Sequence, residues 1–348
     1  MDGGRLRLAL RHDDAGRVIR AELRSHRPVT ACRVLVGKPV DKAVALVPLL
    51  FALCGRAQGA AAQAAVAAAR GEGDVPDRAR WAVLAEAVQE WLYPPLMGWS
   101  ALSGMSETAL MVQIRESTRA VMQNPDPINC EMLAAAVDAL VSVDSDGQLV
   151  GPVASLWQRL CDLPFHEAPT RLLPVFAAAD LLAAWPDQAE FCALPHWHGQ
   201  AVEVGPLADY QHEPVVQEAL HARGHGPLAR FAARLCALRQ AVQVLQGQAP
   251  LPLVSAVRCG DGCGLAVVQA ARGPLAHRVT IGDDGLVADW QILAPTEWNF
   301  HPASPWVAAL AGLSLPEAGQ VAHWQAATLD PCVPCDVVPV AAKLKAAL

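Results

Sequence analysis

Between residues 41 and 246 the apolar residues recur at helical spacing; from 252 to 293 they alternate instead, in runs punctuated by Cys259-Gly260-Asp261-Gly262-Cys263 and Gly282-Asp283-Asp284-Gly285. Glycine–aspartate punctuation between strand-like runs such as 265–268 and 287–293 reads as consecutive β-hairpins. A shorter extended stretch, 5–37, opens the chain: Leu6, Leu8 and Leu10 alternate, Asp13-Asp14-Ala15-Gly16 supplies a turn, and Val18-Ile19 begins a return strand. Helices in one block and strands in others give an α+β fold, mostly helical. With 348 residues, 53% hydrophobic and 18% charged, the chain can bury a large core and is not disordered. One domain is expected over 1–348: a β segment at about 5–37, a helical body at about 41–246, a hairpin region at about 252–293 and a cysteine turn at 330–335.

Within the helical body, residues 41–70 are alanine-rich, with Cys54-Gly55 in the middle, where a glycine marks a break or a close approach. Asp77 is read as the N-cap of a helix over 79–93, in which Leu84, Val88 and Leu92 recur before Pro94-Pro95 ends it. Helical patterns return near 105–122, 130–142, 151–161 and 170–184; a loop rich in Pro, His and Gly covers 195–213, and one long helix is expected over 214–246.

The net charge is −7, from 27 basic and 34 acidic residues, and no lysine or arginine run concentrates the positive charge. That argues against nucleic acid as a main partner. The longest apolar run, 43–54, is too short for a bilayer span and is stopped by Arg56, and the first residues lack the apolar stretch of a secretory signal. A cytoplasmic protein without membrane association is expected. Ten cysteines are too sparse for a disulfide-stapled mini-fold, so they are expected as free thiols, metal ligands or redox groups, most of them simply buried.

The sharpest local motif is Asp330-Pro331-Cys332-Val333-Pro334-Cys335. A Cys-x-x-Cys pair brings two thiolates within reach of one metal, and the prolines stiffen the turn that presents them. The same spacing also arises from two cysteines in a surface turn. A closed zinc site needs two further ligands; Cys259 and Cys263, separated by three residues in a hairpin, are a weaker second pair. A redox motif would begin a helix after a strand, which Pro331 and Pro334 fit poorly. Taken alone, Cys54-Gly55 reads as packing, and Arg272 beside Gly273 as either a loop arginine or a guanidinium aimed at an anion. Pro295-Thr296-Glu297-Trp298-Asn299-Phe300-His301-Pro302 is a polar and aromatic cluster that also suits a structural turn, and His196, His198, His221 and His225 are given no role.

The order of these pieces is more specific than any one of them. Gly37-Lys38, Cys54-Gly55, Glu203-Val204-Gly205-Pro206-Leu207-Ala208, Ala271-Arg272-Gly273-x-Leu275-x-His277, Pro295-Thr296-x-Trp298-Asn299 and Asp330-Pro331-Cys332-x-x-Cys335 follow one another along the chain. This series resembles the large subunit of nickel-iron hydrogenases, from about residue 29 onward. In that family two Cys-x-x-Cys pairs, one from each end of the chain, hold nickel and iron, and the iron also carries carbonyl and cyanide. The resemblance therefore implies a large-subunit-like fold in which the N- and C-terminal cysteine motifs meet in the core.

The departures are informative. Ala57 stands where the second N-terminal cysteine is expected and Ala61 where a histidine closes that motif; Val338 stands at the histidine after which the precursor tail is removed; Asp209 replaces an arginine; and Cys32 aligns with an N-terminal acidic residue. Alanine offers no ligand atom, so no complete nickel site is expected. This pattern, together with the 295–302 string, resembles the HupK/HoxV-type hydrogenase maturation proteins, paralogues of the large subunit. The resemblance implies metal ligation by Cys332, Cys335 and Cys54, a cyanide-facing Arg272 oriented by Asp330, and an extra thiol at Cys32. It implies a non-catalytic scaffold that transiently carries iron with carbonyl and cyanide ligands, and partners comprising a hydrogenase large subunit, a small maturation chaperone and an iron-fragment donor. The competing readings are a metal-free structural chaperone for hydrogenase subunits or maturation factors, a divergent hydrogenase enzyme and a plain zinc protein.

Overall fold

The structure, a computed structural model, describes residues 4–73, 75–104, 107–142, 149–163, 168–186 and 190–342. β1 (Leu6–His12) and β2 (Val18–Ser25) form the expected hairpin, with Leu6, Leu8 and Leu10 buried. Its turn is held by the Asp13 carboxylate, which accepts the backbone N–H groups of Ala15 and Arg17 at 3.0 and 2.8 Å. The extended segment ends earlier than expected: after Ser25 the chain turns through a 3-10 helix, Ala31–Leu35, that carries Cys32.

The alanine-rich stretch divides into α1 (Val40–Leu50) and α2 (Gly55–Arg70) around the 3-10 turn Ala52–Cys54. A Cβ at Gly55 would lie 3.1 Å from the Pro48 carbonyl oxygen, the close approach that the glycine foretold. α3 (Asp77–Tyr93) takes Pro76, not Asp77, as its cap; Asp77 sits in the first turn, where its charge favours the helix dipole. The helical body continues with α4 (Ser100–Ser103), α5 (Thr108–Gln123), α6 (Pro127–Leu140), α7 (Gly151–Cys161), α8 (Ala178–Ala184) and α9 (Pro206–Asp209). The helix expected over 170–184 starts only at Ala178, because Leu172 and Glu203 form a β-bridge upstream. The single helix expected over 214–246 is two, α10 (Pro214–Arg223) and α11 (Pro227–Leu245), separated where Gly224 takes φ +59° and Pro227 restarts the helix.

The hairpin region forms a four-stranded meander: β3 (Val254–Gly260), β4 (Cys263–Ala270), β5 (Gly273–Ile281) and β6 (Val287–Leu293). One face, carrying Ala266, Val268, Val279 and Trp290, packs on the alanines of α2, and Gly264 admits the α2 backbone at Ala65 and Ala69. The other face, with Leu265, Val267, Ala276 and Leu293, packs around Trp298. Two short helices, α12 (Pro295–Asn299) and α13 (Pro305–Ala308), precede α14 (Leu315–Leu329). The chain from Cys335 onward forms β7 (Cys335–Ala341), parallel to β1 in the sheet order β2-β1-β7. Pro339 is tolerated there because β7 is an edge strand. No helix among the described residues is long and apolar enough to cross a membrane.

Candidate functional site

Cys54 stands at the N-cap of α2 without capping that helix through its own side chain. The cap comes from α3: the Glu86 carboxylate accepts the N–H groups of Arg56 and Ala57 at 2.8 and 2.9 Å, satisfying donors that a helix start leaves open. One turn further along α2, Gln58 folds back and its amide N–H donates to Cys54 Sγ at 3.6 Å. Gln58 is itself fixed from the sheet. Trp290 Nε1 donates to His277 Nδ1 at 3.3 Å, which leaves His277 Nε2 to donate to Gln58 Oε1 at 2.8 Å. Burial pushes His277 down to about 3, so the ring is neutral and the relay has one direction, from indole to thiol.

The C-terminal motif arrives from the opposite end of the chain. α14 ends at Asp330 in the left-handed conformation, φ +54°, which turns the backbone sharply into the Pro-Cys sequence. Cys332 is held by Thr296, whose hydroxyl donates to Cys332 Sγ at 3.3 Å and accepts the Cys332 N–H at 3.4 Å. Cys54 and Cys332 line one half-enclosed cavity of about 280 Å³. The Cys332 sulfur is close enough for its charge to act on Cys54.

Arg272 forms one wall of this cavity. Its Nε donates to the Asp330 carbonyl at 2.5 Å, its Nη2 pairs with the Asp330 carboxylate at 3.1 Å, and its Nη1 pairs with Glu90 of α3. The fork thus secures the left-handed residue as well as the charge. Burial pushes Glu90 up to about 8 against the pull of Arg272, and its Oε1 is buried with no hydrogen-bond partner. A second guanidinium, Arg27, lines the cavity in an ion pair with Glu297, and the negative charge of both sulfurs favours its protonated form. Even so, burial pushes Cys54 up to about 12, reinforced by the Glu90 and Glu86 carboxyls and opposed by Arg272. At neutral pH this sulfur therefore keeps its proton.

The motif order has a structural cause. Gly205 (φ +95°) and Gly273 (φ +123°) let two backbones cross: a Cβ at Gly205 would stand 2.5 Å from the Arg272 carbonyl oxygen, and one at Gly273 would stand 2.9 Å from the Gly205 nitrogen. Asn299 ties the crossing together, accepting the Val204 N–H at 2.9 Å and donating to the Arg272 carbonyl at 3.4 Å. Arg272 is therefore aimed by backbone contact with the 203–208 segment and by the Asn299 amide.

Two expected members of the site stand elsewhere. Cys335 is the first residue of β7, paired in register with Leu6 and packed in the core beneath that sheet, and burial pushes its thiol up to about 12. Cys32 is buried with its thiol on the Val29 carbonyl at 3.6 Å, and the charges that act on it come from Asp289 and Arg33. Neither residue lines the cavity. Of the expected thiols the structure thus brings Cys54 and Cys332 together at the cavity, while strand pairing with β1 places Cys335 on the Leu6 side. Among the described residues no group of three or more His, Cys, Asp or Glu side chains is placed to hold a metal ion. Ala57 and Ala61 are fully packed, and Asp209 accepts the Val175 N–H at 2.7 Å and the Gln269 amide. The sequence reading missed Gln58, Glu86, Glu90 and Arg27. Its one available signal was the i,i+4 carboxylate pair Glu86 and Glu90 on an otherwise apolar stretch of α3.

No protein-family model matches the chain. It is 35% identical to the hydrogenase expression/formation protein HupV of Azotobacter chroococcum mcd 1, over 96% of this chain and 98% of that protein. It is 33% identical to HupK of Bradyrhizobium diazoefficiens, over 89% of each, and 28% identical to HoxV of Cupriavidus necator, over 89% and 91%. Among solved structures, an NAD+-reducing [NiFe]-hydrogenase superposes with a TM-score of 0.61 at 16% identity, over 92% of this chain and 93% of the other. The Ni-Fe-Se hydrogenase of D. vulgaris Hildenborough superposes with a TM-score of 0.62 at 14% identity, over 91% and 94%. The fold is that of the hydrogenase large subunit.

Proposed function

This chain belongs to the hydrogenase expression/formation proteins of the HupV, HupK and HoxV type, and from that membership we propose that it is a non-catalytic scaffold that carries an iron fragment, ligated by carbonyl and cyanide, to a hydrogenase large subunit. The observation that carries this reading is the meeting of Cys54 and Cys332, from opposite ends of the chain, beneath the Arg272 fork, with Ala57 in place of a further donor. Two thiols are too few for a bare ion, which takes four donors in a closed site. They suit a cargo that brings ligands of its own, and soft thiolates suit such an iron centre.

The other groups have roles consistent with this cargo. Arg272 keeps one N–H on each Nη beyond those engaged by Asp330 and Glu90 to donate to cyanide nitrogen, and Asp330 fixes its direction. Arg27 adds a second positive charge to offset the anionic fragment. Both thiols must give up protons on loading, so loading and release are linked to the protons they exchange. A site with fewer thiolates than its acceptor biases transfer outward. An iron-fragment donor and a small maturation chaperone are the partners this role requires.

Co-expression with the maturation proteins, followed by metal analysis, tests the reading. Iron is expected without nickel, no hydrogen-dependent dye reduction is expected, and the iron should move to an apo large subunit on mixing. Nickel with hydrogen-dependent activity would identify a divergent hydrogenase. Iron-free protein that still captures hydrogenase subunits after loss of its cysteines would identify a metal-free chaperone.

A further inference from the structure

Cys259 and Cys263 take no part in the cavity. They flank the Gly260-Asp261-Gly262 turn between β3 and β4, at an irregularity where Gly260 rather than Cys259 pairs with Cys263. The extra residue directs the Cys259 side chain at its neighbour across the hairpin. The two sulfurs lie 2.6 Å apart, between the bonded length of about 2.05 Å and any ordinary non-bonded sulfur contact. The charge of Arg278, on β5, acts on both.

Sheet register separates this pair from the iron reading. Cys263 shares a strand face with Leu265 and Val267, and Arg278 pairs with Leu265; that face packs on the Trp298 cluster. His277, which orders Gln58 and Cys54, pairs with Ala266 on the opposite face, against α2. The two thiol pairs therefore stand on opposite sides of one four-stranded sheet.

We propose that Cys259 and Cys263 are a reversible dithiol–disulfide pair that exchanges with low-molecular-weight disulfides of the glutathione type. One cysteine sulfur, as thiolate, attacks the small disulfide, forming a mixed disulfide and releasing one small thiol. The second cysteine sulfur then attacks the mixed disulfide, forming the Cys259–Cys263 bond and releasing the second small thiol. The two cysteines are oxidised, the small disulfide is reduced to two thiols, and the two cysteine protons leave with them. Burial pushes Cys259 up to about 11 while Arg278 draws it down, so exchange is slow at neutral pH and is followed to equilibrium.

The test is equilibration of the whole protein in buffers of graded oxidised-to-reduced glutathione ratio, with alkylation of free thiols and peptide mapping. Loss of two of the ten free thiols, mapped to one intramolecular Cys259–Cys263 bond and reversed by reduced glutathione, is the expected result. Cys259→Ser should instead hold Cys263 as a glutathione adduct or leave it free. Should buried Cys263 tolerate no change of its neighbour, the wild-type map alone decides. Both cysteines alkylated in step with the other thiols at every ratio, or bonded to different partners, would overturn the proposal. Because the readout needs no iron, its failure leaves the scaffold reading intact, and iron-free protein leaves this one intact.

Discussion

Gln58 uses one side-chain amide to couple a sulfur to an imidazole, and neither contact survives its loss. Gln58→Leu leaves the Cys54 sulfur without a donor and His277 without an acceptor, a buried loss of about 1–3 kcal/mol. Urea unfolding should show that loss, and iodoacetamide labelling of Cys54 should be slower than in the parent, since a thiolate deprived of a donor is less stable. Equal labelling rates would remove Gln58 from the site. Arg272→Gln acts differently, because it leaves buried Glu90 and half-buried Asp330 without their shared partner. A cost of about 3–5 kcal/mol is expected from breaking a buried pair on one side. A melt unchanged from wild type would mean that the fork does not hold the turn.

The crossing of the 203–208 and 271–273 segments has no room for a methyl group, so Gly205→Ala should cost at least about 1–3 kcal/mol and disorder the Arg272 turn. Thermal melts compared with Gly285→Ala, whose added Cβ meets nothing within 4 Å, separate crowding from backbone strain alone, since both glycines have positive φ. Much of this was legible from the chain: glycine–aspartate punctuation marked the hairpins, and the motif order marked the large-subunit fold. Other elements were not. β7 exists because β1, from the far end of the chain, pairs with it; the stretch Cys-Asp-Val-Val-Pro-Val-Ala carries no alternation of its own. The spacing of Cys332 and Cys335 fixes their separation along the chain, but strand pairing decides which side Cys335 faces. Glu90 was hidden because, one turn after Glu86 and next to Gln89, it looks like part of a solvated face until Arg272 is seen beside it. Since β7 pairs with β1 along its whole length, cleavage beside Val338 would cut a strand in two. Intact mass of protein isolated with its hydrogenase machinery should therefore include Leu348, and a product ending near Val338 would contradict the strand's structural role.

Across the whole molecule, buried titratable groups link stability to pH with opposing signs. Burial raises Glu86 and Asp209 to about 7 and Glu90 to about 8, so the folded chain holds protons that the unfolded chain has released. Those groups favour folding at low pH and weaken it as pH rises above the unfolded carboxylate range and through the folded values. His277, held neutral down to about 3, opposes them below its usual 6.5 and is silent above it. The net expectation is stability that falls between about pH 6.5 and 8. Asp209→Asn, at a residue that does not line the cavity, should make that decline shallower in urea unfolding; an unchanged slope would mean that Asp209 is ionised throughout. The central claim concerns what two sulfurs from opposite ends of the chain hold between them. Infrared spectroscopy of protein purified after co-expression with the maturation machinery reads it directly. Carbonyl and cyanide bands are expected in the wild type and should vanish in Cys54→Ala plus Cys332→Ala, while protein without bands, or bands that persist in the double variant, would contradict the account.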